Sequence, residues 1–225
     1  MKTIGLRSSI LSALMLALVT VVPVARADVT FHLDTLINGT APADPTPWMT
    51  ATFHDNAPGD VLLTMTNNMP AGEFIDQLVF NSIVNPTSLS FLNLTIPPPA
   101  ATTFHAAQDL TGGANMKAGL FNIFFDYPTA AADRWDGGMV SQWHITGGTV
   151  TSSNFLLTSI DDGHMVGGPY YMAAHVQGIP SAAGTTSGSV GSTTVVPEPD
   201  TYAMMLVGLG LLGFIARRRN RNTAA

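Results

Sequence analysis

The chain of 225 residues contains no cysteine. It therefore has no disulfide bond, no thiolate metal ligand and no cysteine nucleophile of its own. Lysine and arginine are also scarce: of nine in the chain, seven lie in the two terminal segments. Between Asp28 and Val196, only Lys117 and Arg134 stand against thirteen acidic residues, a net charge of −11 with histidine neutral. Such a charge repels polyanions, so we expect no nucleic-acid partner.

Residues 1–27 have the layout of a secretory signal peptide. Basic Lys2 and Arg7 precede an apolar run from Ile10 to Val24, and Ala25-Arg26-Ala27 is an A-x-A cleavage site. We expect a signal helix here, export through the Sec translocon, and cleavage by signal peptidase. The predicted cleavage residues are Ala25, Ala27 and Asp28, with the mature chain starting at Asp28.

Apolar residues recur with a period of two from Asp28 to Gly178, which predicts β-strands. The alternating apolar positions are Val29, Phe31, Leu33, Val61, Leu63, Met65, Phe121, Ile123, Phe125, Tyr127, Trp143, Ile145, Met172, Ala174 and Val176. Turn sequences rich in glycine separate these runs, and no window of a dozen residues keeps a helical stripe. We therefore predict an all-β exported domain over residues 28–178, an antiparallel β-sandwich or jelly roll.

Residues 179–196 differ from the domain in composition. They carry no charge and consist mostly of glycine, serine, threonine and alanine. Such sequences behave as flexible coil, so we predict a flexible linker over residues 179–196.

The chain ends with an apolar segment that lies between a Pro-Glu-Pro sequence and a cluster of arginines. The uncharged run from Thr201 to Ala216 would span about 24 Å as a helix, against a hydrocarbon core of about 30 Å. We expect a single transmembrane helix over residues 201–216. Because basic residues stay on the cytoplasmic side, Arg217 to Arg219 place the exported domain outside.

The whole tail, a Pro-Glu-Pro sequence followed by a short Leu/Gly-rich helix and three arginines, resembles the PEP-CTERM sorting signal of Gram-negative bacteria that make exopolysaccharide. The resemblance covers Val196 to Asn220 and implies a sorting signal over residues 197–221. It implies recognition by exosortase, a multi-spanning membrane transpeptidase with a Cys nucleophile that cleaves near the Pro-Glu-Pro. The implied recognition residues are Pro197, Glu198, Pro199, Arg217, Arg218 and Arg219.

On this resemblance the chain is a substrate and not an enzyme. We expect it to be anchored in the membrane transiently and then to reach the cell surface or the extracellular matrix. A permanent single-pass anchor is the alternative reading of the same segment.

A glycan-binding module is the first alternative function for the exported domain. Trp48 and Trp143 could form a sugar-stacking platform, although core packing is the commoner use of tryptophan. Asp133 and Asp136 are weak calcium candidates, because no complete calcium-loop motif surrounds them. We thus expect no cofactor, with Ca²⁺ as the one candidate, and extracellular polysaccharide as a candidate partner.

A secreted hydrolase is the second alternative, since Glu73 and Asp76 could form a carboxylate pair. Six histidines, at positions 32, 54, 105, 144, 164 and 175, show no metal-ligand spacing, and no G-x-S-x-G sequence lies in the domain. The strand pattern predicts that His32 and His144 lie on the polar face.

Overall fold

The computed structural model describes residues 28–95, 103–106, 116–196, 205–206 and 208–213. The predicted signal peptide, with Ala25 and Ala27, lies outside the described residues. So do the predicted recognition residues Pro197, Glu198 and Pro199 and the arginines at 217–219. What the structure shows is the exported domain and the point at which the tail leaves it.

The described residues form thirteen β-strands. They are β1 (Val29–Leu33), β2 (Thr35–Gly39), β3 (Met49–Ala57), β4 (Asp60–Asn67), β5 (Phe74–Phe80), β6 (Ser90–Asn93), β7 (Thr103–Ala106), β8 (Ile123–Asp126), β9 (Trp135–Asp136), β10 (Val140–Thr146), β11 (Met172–Ser181), β12 (Gly184–Ser192) and β13 (Val195–Val196). Short 3₁₀ helices span Pro86–Ser88 and Ser152–Phe155.

The strands make two antiparallel sheets. The six-stranded sheet has the order β13-β1-β3-β4-β10-β6. The seven-stranded sheet has the order β2-β12-β11-β5-β8-β7, and β9 also pairs with β5. Aromatic rings join the two sheets: Phe53 of β3 meets Phe80 of β5 edge to face at 5.4 Å between ring centroids. The predicted antiparallel β-sandwich is confirmed.

The period-two pattern predicted which side chains face the main core, except that Phe121 belongs to a second apolar cluster and not to the core that holds Ile123, Phe125 and Tyr127. In β1 the apolar residues Val29, Phe31 and Leu33 are buried and their neighbours are half-buried. In β4 the same alternation buries Val61, Leu63 and Met65. Because successive side chains of a strand point to opposite faces, β1 and β4 of the six-stranded sheet pack one face in the sandwich and turn the other towards solvent.

A second apolar cluster covers the outer face of the seven-stranded sheet. Val79 of β5 is the register partner of both Phe124 and Ala173, so these three side chains share one face. Tyr170 and the segment 116–121 pack onto that face. The strands β5, β8 and β11 are therefore buried on both sides over part of their length, and their burial does not alternate strictly.

The predicted flexible linker at 179–196 is wrong. The strand β11 continues to Ser181, β12 pairs with both β11 and β2, and β13 returns to the other sheet. The small residues allow close contacts between neighbouring segments: a Cβ added at Gly188 would clash with the backbone of Thr40, and one at Gly191 would lie 2.7 Å from the Tyr170 ring. The exported domain thus extends to Val196, not to residue 178.

Little of the predicted transmembrane helix over residues 201–216 is described. Residues 205–206 and 208–213 are helical and exposed. Among the residues that the structure covers, no helix is long and apolar enough to cross a membrane. The transmembrane helix is therefore not confirmed.

Candidate functional site

The two ends of the exported domain meet at one edge of the six-stranded sheet. The strand β13 pairs antiparallel with β1, with Thr30 opposite Val196 and Phe31 opposite Val195. Val195 also packs against the main core. Asp28, the predicted first residue of the mature chain, therefore lies at the same end of this edge as Val196. The predicted recognition sequence follows Val196 directly along the chain.

Both terminal segments cross between the sheets next to each other. The chain passes from β1 in one sheet to β2 in the other through Asp34 alone, and it passes from β12 back to β13 through Thr193 and Thr194. Ser192 closes the second crossing, since its hydroxyl donates to the Thr194 carbonyl oxygen at 2.8 Å. The first two strands are thus held in place by the last two.

Three histidines pair with aspartates that are distant in sequence: two of these aspartates lie on neighbouring strands, and Asp28 directly precedes β1. The Nδ1 atoms of His54 and His175 lie 2.5 Å and 2.7 Å from carboxylate oxygens of Asp28 and Asp76 respectively. The Nδ1 atom of His144 lies 3.2 Å from Asp60 Oδ1. The sequence gives no local sign of these pairs, because their partners are far apart along the chain. Strand alternation alone places His32 and His144 on the outer face, and both are half-buried there.

The predicted hydrolase pair, Glu73 and Asp76, has no shared partner among the described hydrogen bonds. Glu73 is buried, and its carboxylate accepts from the Ala43 N–H at 3.1 Å. Burial raises the pKa of Glu73, with the Ala43 N–H opposing the rise and the charge of Asp44 adding to it. Asp76 instead accepts from the Gln177 side chain and contacts His175. The two carboxylates serve separate structural contacts.

The hydroxyl of Ser189 is buried without a hydrogen-bond partner and lies opposite His175 in the strand register. A Ser-His-Asp row across β12, β11 and β5 is thereby present. Ser189 is only 1% exposed, however, so a substrate could not reach its hydroxyl. The row does not form an accessible nucleophilic site.

The calcium candidates differ in their surroundings. Asp133 is exposed. Asp136 Oδ1 accepts from the N–H groups of Gly72 and Gly137 at 2.8 and 3.0 Å, and its Oδ2 accepts from Arg134 at 3.1 Å. Burial opposes ionisation of Asp136, but these three hydrogen bonds and the Arg134 charge outweigh it and hold the pKa of Asp136 below its usual value. Both oxygens are therefore engaged within the protein.

No group of three or more histidine and acidic residues is placed to hold a metal ion within the described ranges. The neighbouring carboxylates of Asp161 and Asp162 accept hydrogen bonds from the N–H groups of Gly163 and His164, as turn carboxylates do.

The predicted sugar-stacking platform is wrong. Trp48 and Trp143 are 7% and 4% exposed, and both belong to the main core. Each indole N–H has an internal acceptor: the Asp44 carbonyl oxygen for Trp48, at 2.7 Å, and the Ser141 hydroxyl for Trp143, at 3.1 Å. Their faces pack against protein and are not available to a sugar.

The outer face of the six-stranded sheet carries a set of threonines in register. Thr50 lies opposite Thr66, Thr52 lies opposite Thr64, and Thr30 lies opposite Thr52. The hydroxyls of Thr30 and Thr52 are 3.0 Å apart. Gln142 continues the row on β10 and donates to the Thr64 hydroxyl at 3.2 Å.

This threonine face carries two carboxylates, Asp28 and Asp60, which lie against His54 and His144. No lysine or arginine occurs in β1, β3, β4, β6 or β10. At the end of the face, Asp60 accepts from the Asn56 side chain at 2.7 Å and faces His144. The alternation of polar and apolar residues predicted a polar outer face. Which of its hydroxyls lie opposite each other follows only from the strand pairing in the structure.

Comparison with known proteins identifies the tail and leaves the exported domain without a match. Residues 195–219 match the family model of the PEP-CTERM protein-sorting motif. No curated protein and no solved structure matches the chain. The match begins at Val195, the first residue of β13, and continues through the Pro-Glu-Pro sequence and the apolar segment. The chain therefore carries a C-terminal PEP-CTERM protein-sorting motif, which marks it as an exported protein that is sorted at the membrane as a substrate of exosortase.

Proposed function

We propose that this chain is a non-enzymatic protein of the cell surface or exopolysaccharide matrix, delivered there by exosortase. Signal peptidase removes residues 1–27, and the tail holds the folded domain at the membrane. The thiolate of exosortase then attacks a backbone carbonyl near Pro197–Pro199, and the tail leaves as the amine. Water or an acceptor nucleophile takes the acyl group, which releases or attaches the domain.

The observation that carries this proposal is the position of the motif relative to the fold. The last strand of the sandwich ends at Val196, and the recognition sequence follows it directly. Cleavage within or after Pro197–Pro199 removes no strand of the sandwich. The tail is therefore separable from the domain without loss of core.

The contacts of the polar candidates support a role without catalysis. Asp136 and Asp76 use their carboxylates for structural hydrogen bonds, and Glu73 accepts from a backbone N–H while buried. The structural contacts of these three carboxyl groups thus account for their positions in the fold.

Replacement of Pro197, Glu198 and Pro199 by alanine tests the proposal. We expect the variant to stay full-length in the membrane fraction, while the native chain yields a product that ends near residue 197. The intact mass of the product from the native host reports both cleavages and any attached group. Unchanged processing of the alanine variant would show that exosortase does not recognise this sequence.

Binding of a neutral polysaccharide by the threonine face is the second candidate function. The face presents five threonine hydroxyls in register, its strands carry no lysine or arginine, and its two carboxylates, Asp28 and Asp60, lie beside histidines. Hydroxyls donate and accept hydrogen bonds, which suits an uncharged, hydroxyl-rich polymer better than a charged one.

Retention of the processed domain on insoluble cellulose and on the host's own exopolysaccharide tests this second candidate. Thr52→Val with Thr64→Val removes two hydroxyls and keeps β-branched side chains, so we expect retention to fall while stability is kept. The control is Thr185→Val, at an exposed threonine of β12 in the other sheet. Equal retention of both variants, or no retention of the native domain, would contradict the idea.

A further inference from the structure

The sorting motif begins inside the folded domain. Its family match starts at Val195, and Val195–Val196 form the edge strand β13. The only described partner strand of β13 is β1, which is also the first strand of the exported domain. The residues just before the Pro-Glu-Pro sequence are therefore part of a sheet and not of a free linker.

The distance between the sheet edge and the predicted membrane segment is short. Only Pro197 to Asp200 separate β13 from the apolar run that starts at Thr201. Four residues span at most about 14 Å even when fully extended. An enzyme that acts on Pro197–Pro199 must therefore work close to both the membrane and the edge of the domain.

Proline rules out helix and favours extended backbone, so the Pro-Glu-Pro sequence suits an extended binding mode in a cleft. Extended recognition uses backbone N–H and C=O groups together with side-chain pockets, and it commonly covers several consecutive residues. With so few residues available, a cleft around Pro197–Pro199 also takes in Val195 and Val196. Those residues cannot pair with β1 and fill the cleft at the same time.

We propose that β1 and exosortase compete for β13, so that this chain is cleaved from a state in which β13 has separated from β1. This inference rests on the proposed function and adds a conformational requirement to the same processing site. The pairing is short, with two register partners and two half-buried valines, so separation disturbs little of the core. The fraction of chains with β13 separated then sets the apparent rate of processing.

A disulfide that locks β13 to β1 tests the competition. Thr30 and Val196 are register partners, and opposite residues of an antiparallel pair lie about 4.5–5.5 Å apart between Cα atoms, within the range of a disulfide. The chain has no cysteine of its own, so in the full-length Thr30→Cys/Val196→Cys variant only the intended bond can form within one chain. Membranes that contain exosortase serve as the source of the enzyme.

We expect the oxidised variant to be cleaved more than about tenfold more slowly than the same protein after reduction. The matched control is Ser90→Cys/Thr146→Cys, which joins register partners of β6 and β10 in the same sheet. Its oxidised and reduced forms should be cleaved equally fast. Equal cleavage of the two forms of the Thr30/Val196 variant would overturn the inference.

A Gly/Ser insertion of about six residues between Val196 and Pro197 provides the second measurement, since it adds about 20 Å of extended reach. In the oxidised Thr30→Cys/Val196→Cys background, this insertion should restore cleavage, because the cleft no longer needs β13. Failure to restore cleavage would show that strand pairing is not the obstacle, and the inference would be abandoned.

The alanine variant of Pro197–Pro199 separates this inference from the proposed function. Normal cleavage of that variant would remove the proposed function itself. Suppose instead that the alanine variant is not cleaved, while the oxidised Thr30→Cys/Val196→Cys variant is cleaved at the normal rate. The proposed function then stands, and only the competition between β1 and exosortase is wrong.

Discussion

Phe125 of the seven-stranded sheet stacks on Trp143 of the six-stranded sheet, with ring centroids 4.6 Å apart and an angle of 27° between the planes. Phe125 is fully buried and Trp143 is 4% exposed. Stacked aromatic pairs contribute beyond the apolar area that they bury. In a chain without disulfide bonds, this contact helps to hold the two sheets together.

Truncation of Trp143 should therefore destabilise the domain strongly. We expect Trp143→Ala to lower the free energy of unfolding by about 3–5 kcal/mol, the usual range for loss of a buried large aromatic side chain. Urea unfolding of the processed domain measures this. Leu92→Ala is the control, because Leu92 is 62% exposed on the neighbouring strand β6 and should change stability by less than about 0.5 kcal/mol. Equal midpoints for the two variants would contradict the core position of Trp143.

The second prediction concerns Gly188, which lies in the segment that composition alone assigns to a flexible linker. In β12 a Cβ at this position would meet the carbonyl oxygen of Thr40. Gly188→Ala should destabilise the domain by about 1–3 kcal/mol, as overpacking of a tight site does. Thr185→Ala, at an exposed position of the same strand, is the control. In a flexible linker neither change would matter, so matching urea midpoints for both variants would argue against the strand.

Strand alternation was sufficient to predict the sandwich, because one-sided strands such as β1 and β4 carry their burial pattern in the sequence. It failed at β12 for a physical reason. There the small residues permit close packing of neighbouring segments, and composition cannot distinguish a tightly packed glycine from a flexible one. The outer cluster around Val79 was missed because a strand buried on both faces has no period-two signal.

The candidate site was predictable only in part. The Pro-Glu-Pro sequence and the arginine cluster are local patterns, so the sequence alone was enough to identify the sorting motif. The pairing of Thr30 with Val196 and that of His175 with Asp76 join residues far apart in the chain. Contacts of that kind depend on register, which the sequence does not reveal one strand at a time.

The third prediction places the C-terminal boundary of the domain. A chain of residues 28–196 should fold, because it contains every strand that the structure describes. A chain of residues 28–178 should not fold cooperatively, because it lacks β12 and β13. Without β12, the strands β2 and β11 both lose the strand that lies between them and pairs with each. Near-ultraviolet circular dichroism and urea unfolding distinguish the two. A cooperative transition in the shorter chain would restore the linker interpretation.

The fourth prediction uses the carboxyl group of Asp136, whose pKa is lowered in the folded domain. Its usual value is 3.8, so its contribution to stability is fully present above that value and is lost as the pH falls through the lower folded-state pKa. Asp136→Asn removes the ionic contact with Arg134 and should lower the free energy of unfolding by about 1–3 kcal/mol at pH 7. The difference in the free energy of unfolding between Asp136→Asn and the native domain should shrink below pH 3.8. A difference that is constant with pH would contradict a lowered pKa.

The buried carboxyl group of Glu73 should give the opposite pH dependence, because its pKa is raised above 4.5. The folded domain favours the protonated form, so the stabilising contribution is present below 4.5 and is lost as the pH rises through the folded-state pKa. Glu73→Gln cannot ionise, yet its amide oxygen can still accept from the Ala43 N–H. The free energy of unfolding of Glu73→Gln, relative to that of the native domain, should therefore rise between pH 4 and pH 7. Urea unfolding at several pH values measures this. Because the expected slopes of Glu73→Gln and Asp136→Asn have opposite signs, a general effect of pH on the domain cannot produce both. A flat difference for Glu73→Gln would mean that Glu73 ionises as freely in the folded domain as in the unfolded chain.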